Sequence, residues 1–189
     1  MRPLLFSLLL SLLFSPAAWA GWDISQLMQL LAKNKGGHAT FVETKYISIL
    51  DQPVVSSGEL SYTAPDQLEK KTVQPKAERL TLDGDTLTVE RGKRTYTLRL
   101  QDRPEAIAFA DSIRGTLSGN QKVLEQTYKL QLQGDRSKWT LQMLPSDTRI
   151  ASLVSKISVS GSNNRVQTIE YTLKDGDRSV MAIEETDSR

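Results

Sequence analysis

Thr40-Phe41-Val42-Glu43-Thr44-Lys45-Tyr46-Ile47 is an extended, β-rich run, and Gly58-Glu59-Leu60-Ser61-Tyr62-Thr63-Ala64-Pro65 is a second. The polar break Asp51-Gln52-Pro53 separates them, and a third run begins at Asp66 after the proline. Runs of β-branched and aromatic residues bounded by such turn signals are typical of strands. Residues 38–73 therefore predict three strands joined by short turns, which is the opening of an antiparallel sheet.

The chain downstream continues this sheet. A tight hairpin is predicted where residues 79–82 and 86–89 flank Asp83-Gly84-Asp85, with Leu80 and Leu82 on one face, and Leu87 and Val89 on one face. Alternation of apolar and polar residues predicts further strands over residues 94–100, 127–133, 139–144, 156–160, 166–173 and 179–184.

Two amphipathic helices and a short one are predicted among the strands. In the first, Ile24, Leu27, Met28 and Leu31 lie on one stripe behind a cap at Asp23. The second begins at Asp102-Arg103-Pro104 and ends at Gly119-Asn120, and the short one follows Pro145-Ser146-Asp147. The apolar face of the second helix comprises Ala106, Phe109, Ala110, Ile113 and Leu117.

These elements predict an α+β fold that is mainly β. An antiparallel sheet of about 10–11 strands must curl or close, because flat sheets of that size are uncommon. We expect a curled sheet or incomplete β-barrel with two or three helices as a lid. A sheet this large around few bulky side chains favours an internal cavity.

The first twenty residues have the pattern of a secretory signal peptide. Arg2 precedes an apolar or small run from Pro3 to Phe14, and the segment ends in Ala18-Trp19-Ala20. An apolar core of about 11 residues spans only about 16 Å as a helix, roughly half of a bilayer's hydrocarbon layer. We therefore expect cleavage before Gly21 and one domain over residues 21–189.

Composition restricts the function further. Residues 1–20 contain one charged residue, Arg2, so 23 of the 24 basic residues and all 22 acidic residues remain in the mature chain. This balance gives no reason to expect a nucleic-acid partner. The chain has no cysteine, which excludes disulfides, thiolate metal sites and N-terminal lipidation on cysteine. These features predict a soluble periplasmic protein.

Residues able to support catalysis or metal binding are few. His38 is the chain's one histidine and lies in a Gly-Gly-His turn, where a solvated loop histidine is the simpler interpretation. Asp83-Gly84-Asp85 and Asp175-Gly176-Asp177 lack the spaced ligands of a calcium loop and are better explained as turns. We expect no enzymatic activity, no metal and no cofactor.

Several stretches together resemble a known family. They are Phe41-Val42-Glu43-Thr44-Lys45, Gly58-Glu59-Leu60, Ala64-Pro65-Asp66-Gln67-Leu68, Leu82-Asp83-Gly84-Asp85-Thr86-Leu87, residues 139–145, residues 157–161 and Asp175-Gly176-Asp177-Arg178-Ser179. With the signal peptide and the lid-like helix, this pattern resembles the LolA-like family of periplasmic lipoprotein carriers, and the later stretches its LolA-related branch. The similarity spans most of the mature chain.

The resemblance implies an incomplete β-barrel with an apolar cavity that accepts the acyl chains of lipid or lipoprotein cargo. It also implies an inner-membrane transporter that loads the cargo and an outer-membrane receptor that takes it; we expect the carrier itself to be a monomer. Lipoprotein carriers of the family have an arginine immediately before the turn proline, linked to lid closure, whereas this chain has Ala64 there. The resemblance is therefore compatible with a lipoprotein or with another lipid as the cargo.

Sequence period assigns candidate cavity residues to a face, but it does not distinguish a cavity from a dry core. The candidates are Phe41, Leu60, Tyr62, Leu80, Leu82, Leu98, Ile113, Leu117, Leu130, Leu132, Leu141 and Met143. The alternative function is an envelope sensor or protein-interaction module, with Lys70, Lys71, Arg91 and Arg94 as a docking patch. A secreted hydrolase that depends on His38 is a third hypothesis.

Overall fold

The structure, a computed structural model, describes residues 21–186, apart from the side chains of Pro104 and Glu105. The predicted signal peptide lies outside the described residues. The elements in chain order are α1 (Ile24–Leu31), β1 (Gly36–Tyr46), β2 (Val54–Thr63), β3 (Gln67–Gln74), β4 (Glu78–Asp83), β5 (Thr86–Arg91), β6 (Arg94–Arg99), a 3-10 turn (Leu100–Asp102), α2 (Pro104–Leu117), α3 (Gln121–Thr127), β7 (Tyr128–Asp135), β8 (Lys138–Pro145), α4 (Thr148–Ala151), β9 (Val154–Ser162), β10 (Arg165–Leu173) and β11 (Arg178–Glu185).

All eleven strands form one antiparallel sheet, in the order β6-β5-β4-β3-β2-β1-β11-β10-β9-β8-β7. The opening three strands therefore lie side by side, as predicted, and β1 is the central strand. The pairing of β1 with β11 joins the two ends of the domain sequence, with Phe41 opposite Ile183. Since β6 and β7 are the two edges, the sheet is not closed into a barrel. The predicted α+β fold with an incomplete barrel is confirmed.

The helices begin where the sequence provides caps. The Asp23 side chain accepts a hydrogen bond from the Gln26 backbone N–H at 2.8 Å and starts α1. Pro104 occupies the first turn of α2, as expected from its fixed φ. Asp147 accepts from the backbone N–H groups of Arg149 and Ile150 and starts α4. No helix within residues 21–186 is long and apolar enough to cross a membrane.

Two details differ from the prediction. α3 was not predicted, because its seven residues contain only two large apolar side chains, Val123 and Leu124, too few to define a period. The strand over residues 156–160 in the prediction begins earlier, at Val154, which is fully buried. The spacing of Ile150, Leu153 and Val154 predicts that Val154 belongs to the short helix, but α4 ends at Ala151 and Val154 is the first residue of β9.

The helices cover one half of the inner face of the sheet. The main core cluster combines residues of all four helices, including Leu27, Ala108, Leu124 and Ile150, with inward side chains of β1 and β7–β11. A smaller cluster joins Leu82, Leu100 and Ala110, with Leu68, Leu87, Ala106 and Ile107 packed against it. In this smaller cluster, the first turns of α2 and the preceding 3-10 turn pack on the other half of the sheet, β2–β6.

Candidate functional site

The inner face of the sheet, the face that the helices cover, can be followed residue by residue through the strand register. Phe41 is buried in the core and lies opposite Gly58, while its neighbour Ala39 lies opposite Leu60. Residues paired across two strands point to the same face of the sheet, and successive residues along one strand point to opposite faces. The inner face can therefore be assigned on each strand in turn. All ten predicted cavity residues that belong to strands lie on this inner face: Phe41, Leu60, Tyr62, Leu80, Leu82, Leu98, Leu130, Leu132, Leu141 and Met143.

The predicted cavity residues differ in how deeply they are buried, and Tyr62 on β2 is of intermediate exposure. Phe41, Leu141 and Met143 are buried in the main cluster, whereas Leu82 belongs to the smaller one. Partly buried residues packed against the main cluster include Leu60, Leu130, Leu132 and, from α2, Leu117. Ile113, also in α2, is of intermediate exposure. The part of the predicted set on β1, β7 and β8 is therefore packed among other side chains.

On β4–β6, the inward apolar side chains that belong to neither cluster form what we call the open strip: Leu80, Val89, Tyr96 and Leu98. Leu80 lies opposite Val89, which lies opposite Tyr96, while Leu98 lies opposite Leu87 in the next row. Tyr96 and Leu98 are 48% and 40% exposed, although their face is the one that the helices cover elsewhere. The open strip is thus an apolar surface on the inner face that no helix shields.

A charged pair crosses the inner face beside the open strip. Glu43 is only 4% exposed, and its carboxylate accepts hydrogen bonds from Lys70 Nζ and from Ser179 Oγ, the latter at 2.7 Å. Burial disfavours ionisation of Glu43, but these two hydrogen bonds and the charges of Lys70 and Lys45 outweigh it and hold the pKa of the carboxyl below its usual range. Glu43 is therefore an anion in the interior at neutral pH.

Lys70 also contacts an aromatic ring. Lys70 Nζ lies 4.8 Å from the centre of the Phe41 ring, a cation–π distance. Gly58 lies opposite Phe41, and a Cβ there would lie 1.9 Å from the Lys71 carbonyl oxygen, at a bulge between β2 and β3. Any other residue at position 58 would therefore displace the β3 backbone next to Lys70.

The four predicted docking residues do not form one patch. Lys70 points to the inner face and bonds Glu43, whereas Lys71 points to the outer face and bonds Glu59 Oε2 at 3.0 Å. Arg91 and Arg94 lie opposite each other on the inner side of the β5–β6 turn, and Arg91 pairs with Glu78. Among residues 21–186, Arg94 has no ion-pair partner.

A separate groove of about 680 Å³ runs between α1, the start of α3 and the β2–β3 turn. Its lining includes Met28, Pro65, Asp66 and Gly115, and it contains none of the twelve predicted cavity residues. Ala64, the position of the family arginine, stands next to it and donates its backbone N–H to the Lys35 carbonyl at 3.1 Å.

The lid helix α2 is held to the sheet by an arginine of its own, Arg114, and not by an arginine at position 64. Arg114 in α2 donates to the Gly84 carbonyl at 2.6 Å and to Asp111 Oδ1 at 2.7 Å, and it lies 3.9 Å from Asp85 Oδ1. Its side chain is only 15% exposed. These contacts tie α2 to the β4–β5 turn at the edge of the open half of the sheet.

The residues considered for catalysis or metal binding are turn and surface residues. His38 is exposed, but the predicted turn is wrong, because Gly36–His38 belong to β1 and His38 pairs with Ser61 of β2. Asp177 accepts hydrogen bonds from the backbone and hydroxyl of Ser48, and Gly84 and Gly176 have positive φ, as their turns require. Among residues 21–186, no three acidic or histidine side chains group as metal ligands.

Sequence reasoning missed Glu43, Arg114, Val89 and Tyr96. Alternation along β1 places Glu43 on the same face as Phe41, so the sequence alone predicts a carboxylate on the inner face. Val89 was assigned to a face but omitted from the cavity set, and the same alternation places Tyr96 beside it. The contacts of Arg114 with the β4–β5 turn could not be predicted from local sequence patterns, because the turn lies about thirty positions earlier in the chain.

Comparison with known proteins identifies a family. Residues 16–186 match the model of a family described as outer membrane lipoprotein carrier protein LolA-like. No curated protein sequence matches the chain.

Several solved structures share the fold at low identity. A LolA superfamily protein from Nitrosomonas europaea is 10% identical, with 88% of this chain and 94% of that chain covered and a TM-score of 0.45. The lipoprotein LppX of Mycobacterium tuberculosis is 9% identical, with 88% and 96% covered and a TM-score of 0.46. A chain of the MucA/MucB complex of Pseudomonas aeruginosa is 15% identical, with 88% and 58% covered and a TM-score of 0.48. These likenesses concern the fold alone.

Proposed function

Because the chain belongs to the LolA-like outer membrane lipoprotein carrier protein family, we propose that it is a periplasmic carrier for the acyl chains of a lipoprotein or another lipid. The acyl chains bind against the open strip, and the carrier brings the cargo toward the outer membrane. In this proposal the chain has no enzymatic activity and acts as a monomer. An inner-membrane transporter and an outer-membrane receptor are its expected partners.

The observation that carries the proposal is the open strip itself. Leu80, Val89, Tyr96 and Leu98 leave apolar surface uncovered on the inner face of a sheet whose other half contains the main core cluster. Folding alone gives no reason for this asymmetry, since exposed contiguous apolar surface on a protein is usually a binding site. A cargo that covers the strip removes this surface from water.

A shielded surface is needed because acyl chains are costly to hydrate. At about 0.8 kcal/mol per methylene, exposing a chain of about 15 carbons to water costs on the order of 12 kcal/mol. A lipid therefore needs a protein surface to cross the aqueous periplasm. Contact with even part of the strip recovers a fraction of that free energy.

The polarity of the inner face suits an amphiphile lying along it. One row across the sheet is apolar throughout and comprises Tyr62, Leu68, Leu82, Leu87 and Leu98. Further along the same strands, toward the β3–β4 and β5–β6 turns, the inward side chains are Glu78, Arg91 and Arg94. We infer that the acyl chain lies over the apolar rows and that the headgroup points to the charged end.

The test is binding of a fluorescent fatty acid to the purified protein and to two variants of one strand. Leu98→Asp places a charge on the open strip, whereas Thr97→Asp places the same charge on the outer face one residue away. Both positions are exposed, so both variants should fold. We expect Leu98→Asp to weaken binding at least about tenfold, since a carboxylate must be desolvated against the cargo, and Thr97→Asp to leave it unchanged.

Native cargo provides a second measurement. Mass spectrometry of lipids extracted from protein purified from its native periplasm should find a retained lipid. Absence of any lipid, together with no uptake of the probe, contradicts the carrier function.

The alternative, a sensor or protein-docking module, has less support. Its four proposed basic residues are divided between two faces of the sheet, and Lys70, Lys71 and Arg91 each already pair with a carboxylate. Lys71→Glu reverses the one of these charges that lies on the outer face, away from Glu43 and from the proposed headgroup position, and it should leave probe binding intact for a carrier.

A further inference from the structure

The β1–β2 hairpin ends in an unusually apolar tip, which we call the β1–β2 tip, residues 46–55. Of the ten large apolar side chains that are exposed within residues 21–186, five belong to it: Tyr46, Ile49, Leu50, Val54 and Val55. Ile49 is 88% exposed, the highest value among them. Asp51 is the one charged residue of the tip. Apolar surface of this kind is a site for a partner rather than for solvent.

The tip is held in place rather than free. Ser48 at its turn donates its backbone N–H and its hydroxyl to Asp177 Oδ1 at 2.8 and 2.9 Å, which joins it to the β10–β11 turn. The Leu50 backbone N–H donates to the Ile47 carbonyl at 2.9 Å. The Ile49 and Leu50 side chains are therefore presented on an ordered support.

The distribution of the apolar side chains favours a lipid bilayer over a protein as the partner. Val54 lies on the inner face of the hairpin, Tyr46 and Val55 lie on the outer face, and Ile49 and Leu50 lie at the turn. A protein partner meets one contiguous patch, whereas a bilayer surrounds whatever enters it from every side. A tip that is apolar on both faces and at its end matches the second environment.

The turns at the same end of the sheet carry cations suited to lipid phosphates. Lys45 and Arg178 lie beside the tip, but Lys45 already pairs with Glu43 at 3.6 Å and Arg178 with Glu170 at 2.9 Å. The β3–β4, β5–β6 and β10–β11 turns add Lys76, Lys93 and Lys174. Their acidic neighbours include Asp175 and Asp177, of which Asp177 is engaged by Ser48. Basic side chains behind an apolar tip are the arrangement that binds an anionic membrane surface.

We propose that the β1–β2 tip inserts into the surface of an anionic phospholipid membrane, with Ile49 and Leu50 entering the acyl region. The open strip ends at the same end of the sheet, next to Arg91 and Arg94, so insertion brings it close to the membrane. The inference goes beyond the carrier function, because the tip can bind a membrane whether or not the open strip binds a lipid.

The experiment is sedimentation with vesicles of phosphatidylethanolamine containing a minority of phosphatidylglycerol. The unmodified protein should co-sediment with the vesicles, and a variant with Ile49→Ser and Leu50→Ser should bind them at least about tenfold more weakly. Val42→Ser is the matched control, since Val42 is 51% exposed on the outer face of β1 but lies outside the tip. The control should bind as the unmodified protein does.

A fluorescent variant distinguishes insertion from adsorption. In Ile49→Trp, the added tryptophan should shift its emission to shorter wavelength on vesicle binding and should be quenched by brominated acyl chains, with the unmodified protein as the baseline. Failure of the unmodified protein to bind lipid vesicles, equal binding by the serine variant, or an added tryptophan that is not quenched overturns the proposal, and the first of these results favours a protein partner. The serine variant should still bind the fluorescent fatty acid, so this test and the test of the carrier function fail independently.

Discussion

At the scale of single residues, the most informative feature is the charged pair inside the sheet. Glu43 and Lys70 occupy the inner face between packed and open surface, and each depends on the other. Removing one partner of such a buried pair leaves the other charge desolvated, which costs far more than losing a surface pair. Gly58 keeps the backbone of β3 in place beside this pair, since a Cβ there would lie 1.9 Å from the Lys71 carbonyl oxygen.

We predict that Lys70→Met destabilises the protein by about 2 kcal/mol at neutral pH, because it leaves the buried Glu43 carboxylate with only the half-exposed Lys45, 3.6 Å away, as a cation. The matched control is Lys71→Met, the adjacent lysine on the outer face, which pairs with the exposed Glu59 and should cost about 1 kcal/mol or less. Urea unfolding of both variants measures the difference.

The destabilisation caused by Lys70→Met should depend on pH, because it depends on the ionisation of Glu43. The pKa of Glu43 is lowered in the folded protein, so its ionised form stabilises the fold above the ordinary glutamate pKa of about 4.3, and that stabilisation is lost as the pH falls through the folded-state pKa. The deficit of Lys70→Met should therefore shrink in acid, where Glu43 is protonated in both proteins. If the loss of unfolding free energy in Lys70→Met stays constant down to low pH, the loss comes from the packing of the lysine stem and not from the charge of Glu43.

At the scale of elements, α2 is the helix that connects the two halves of the sheet. Ala108 packs in the main cluster, whereas Ala106, Ile107 and Ala110 pack in the smaller one. The Tyr128 hydroxyl donates to the Ala108 carbonyl at 2.8 Å, and burial together with the charge of Asp111 raises the pKa of this phenol, which keeps it protonated. Arg114 adds the tie to the β4–β5 turn, so the position of α2 over the open half depends on few contacts.

We predict that Arg114→Ala loosens α2. Loss of the charged hydrogen bonds to Gly84 and Asp111 should cost about 2 kcal/mol, and the backbone amides of α2 should exchange with solvent faster. Hydrogen exchange followed by mass spectrometry measures this element by element. Lys122→Ala, at an exposed position of α3, is the control and should change stability by less than about 0.5 kcal/mol. Unchanged exchange in α2 would show that its apolar contacts alone hold it.

At the scale of the whole molecule, one sheet serves two purposes. The half formed by β1 and β7–β11 contains the main core cluster under four helices, with Trp139, Leu141, Met143 and Val159 all at most 2% exposed. The half formed by β2–β6 has only the small cluster around Leu82 and the uncovered open strip. Packing stability is thus concentrated in one half, and the other half keeps apolar surface available.

We predict that this division is visible in hydrogen exchange. In the absence of ligand, amides of β8–β10 should exchange slowly and those of β5–β6 faster, since local opening costs least where few apolar contacts are broken. A fatty acid at about 100 times its Kd should slow exchange in β4–β6 by up to about a hundredfold, as expected for a ligand that binds the closed state. Slowing confined to α1 and the 680 Å³ groove would place the ligand there instead.

The sequence alone determined the fold class and the face of each residue. Alternation in residues 38–73, the caps at Asp23 and Asp147 and the period of α2 depend on local geometry, which a strand or a helix imposes on its own residues. The same alternation placed all ten strand residues of the predicted cavity set on one face. α3 was not predicted, because its seven residues contain only two large apolar side chains, which are too few to show a helical period.

Only the tertiary structure decided which of these residues are packed and which are open. Leu141 and Leu98 have the same alternation in sequence, yet one is fully buried under helices and the other is 40% exposed. The pairing of Lys70 with Glu43 and of Arg114 with Gly84 likewise joins residues 27 and 30 positions apart. The physical reason is that periodicity is a property of the local backbone, whereas burial depends on where distant helices come to rest on the sheet. Residues 38–73 thus specify their strands, and the helices that follow leave part of this half of the sheet uncovered.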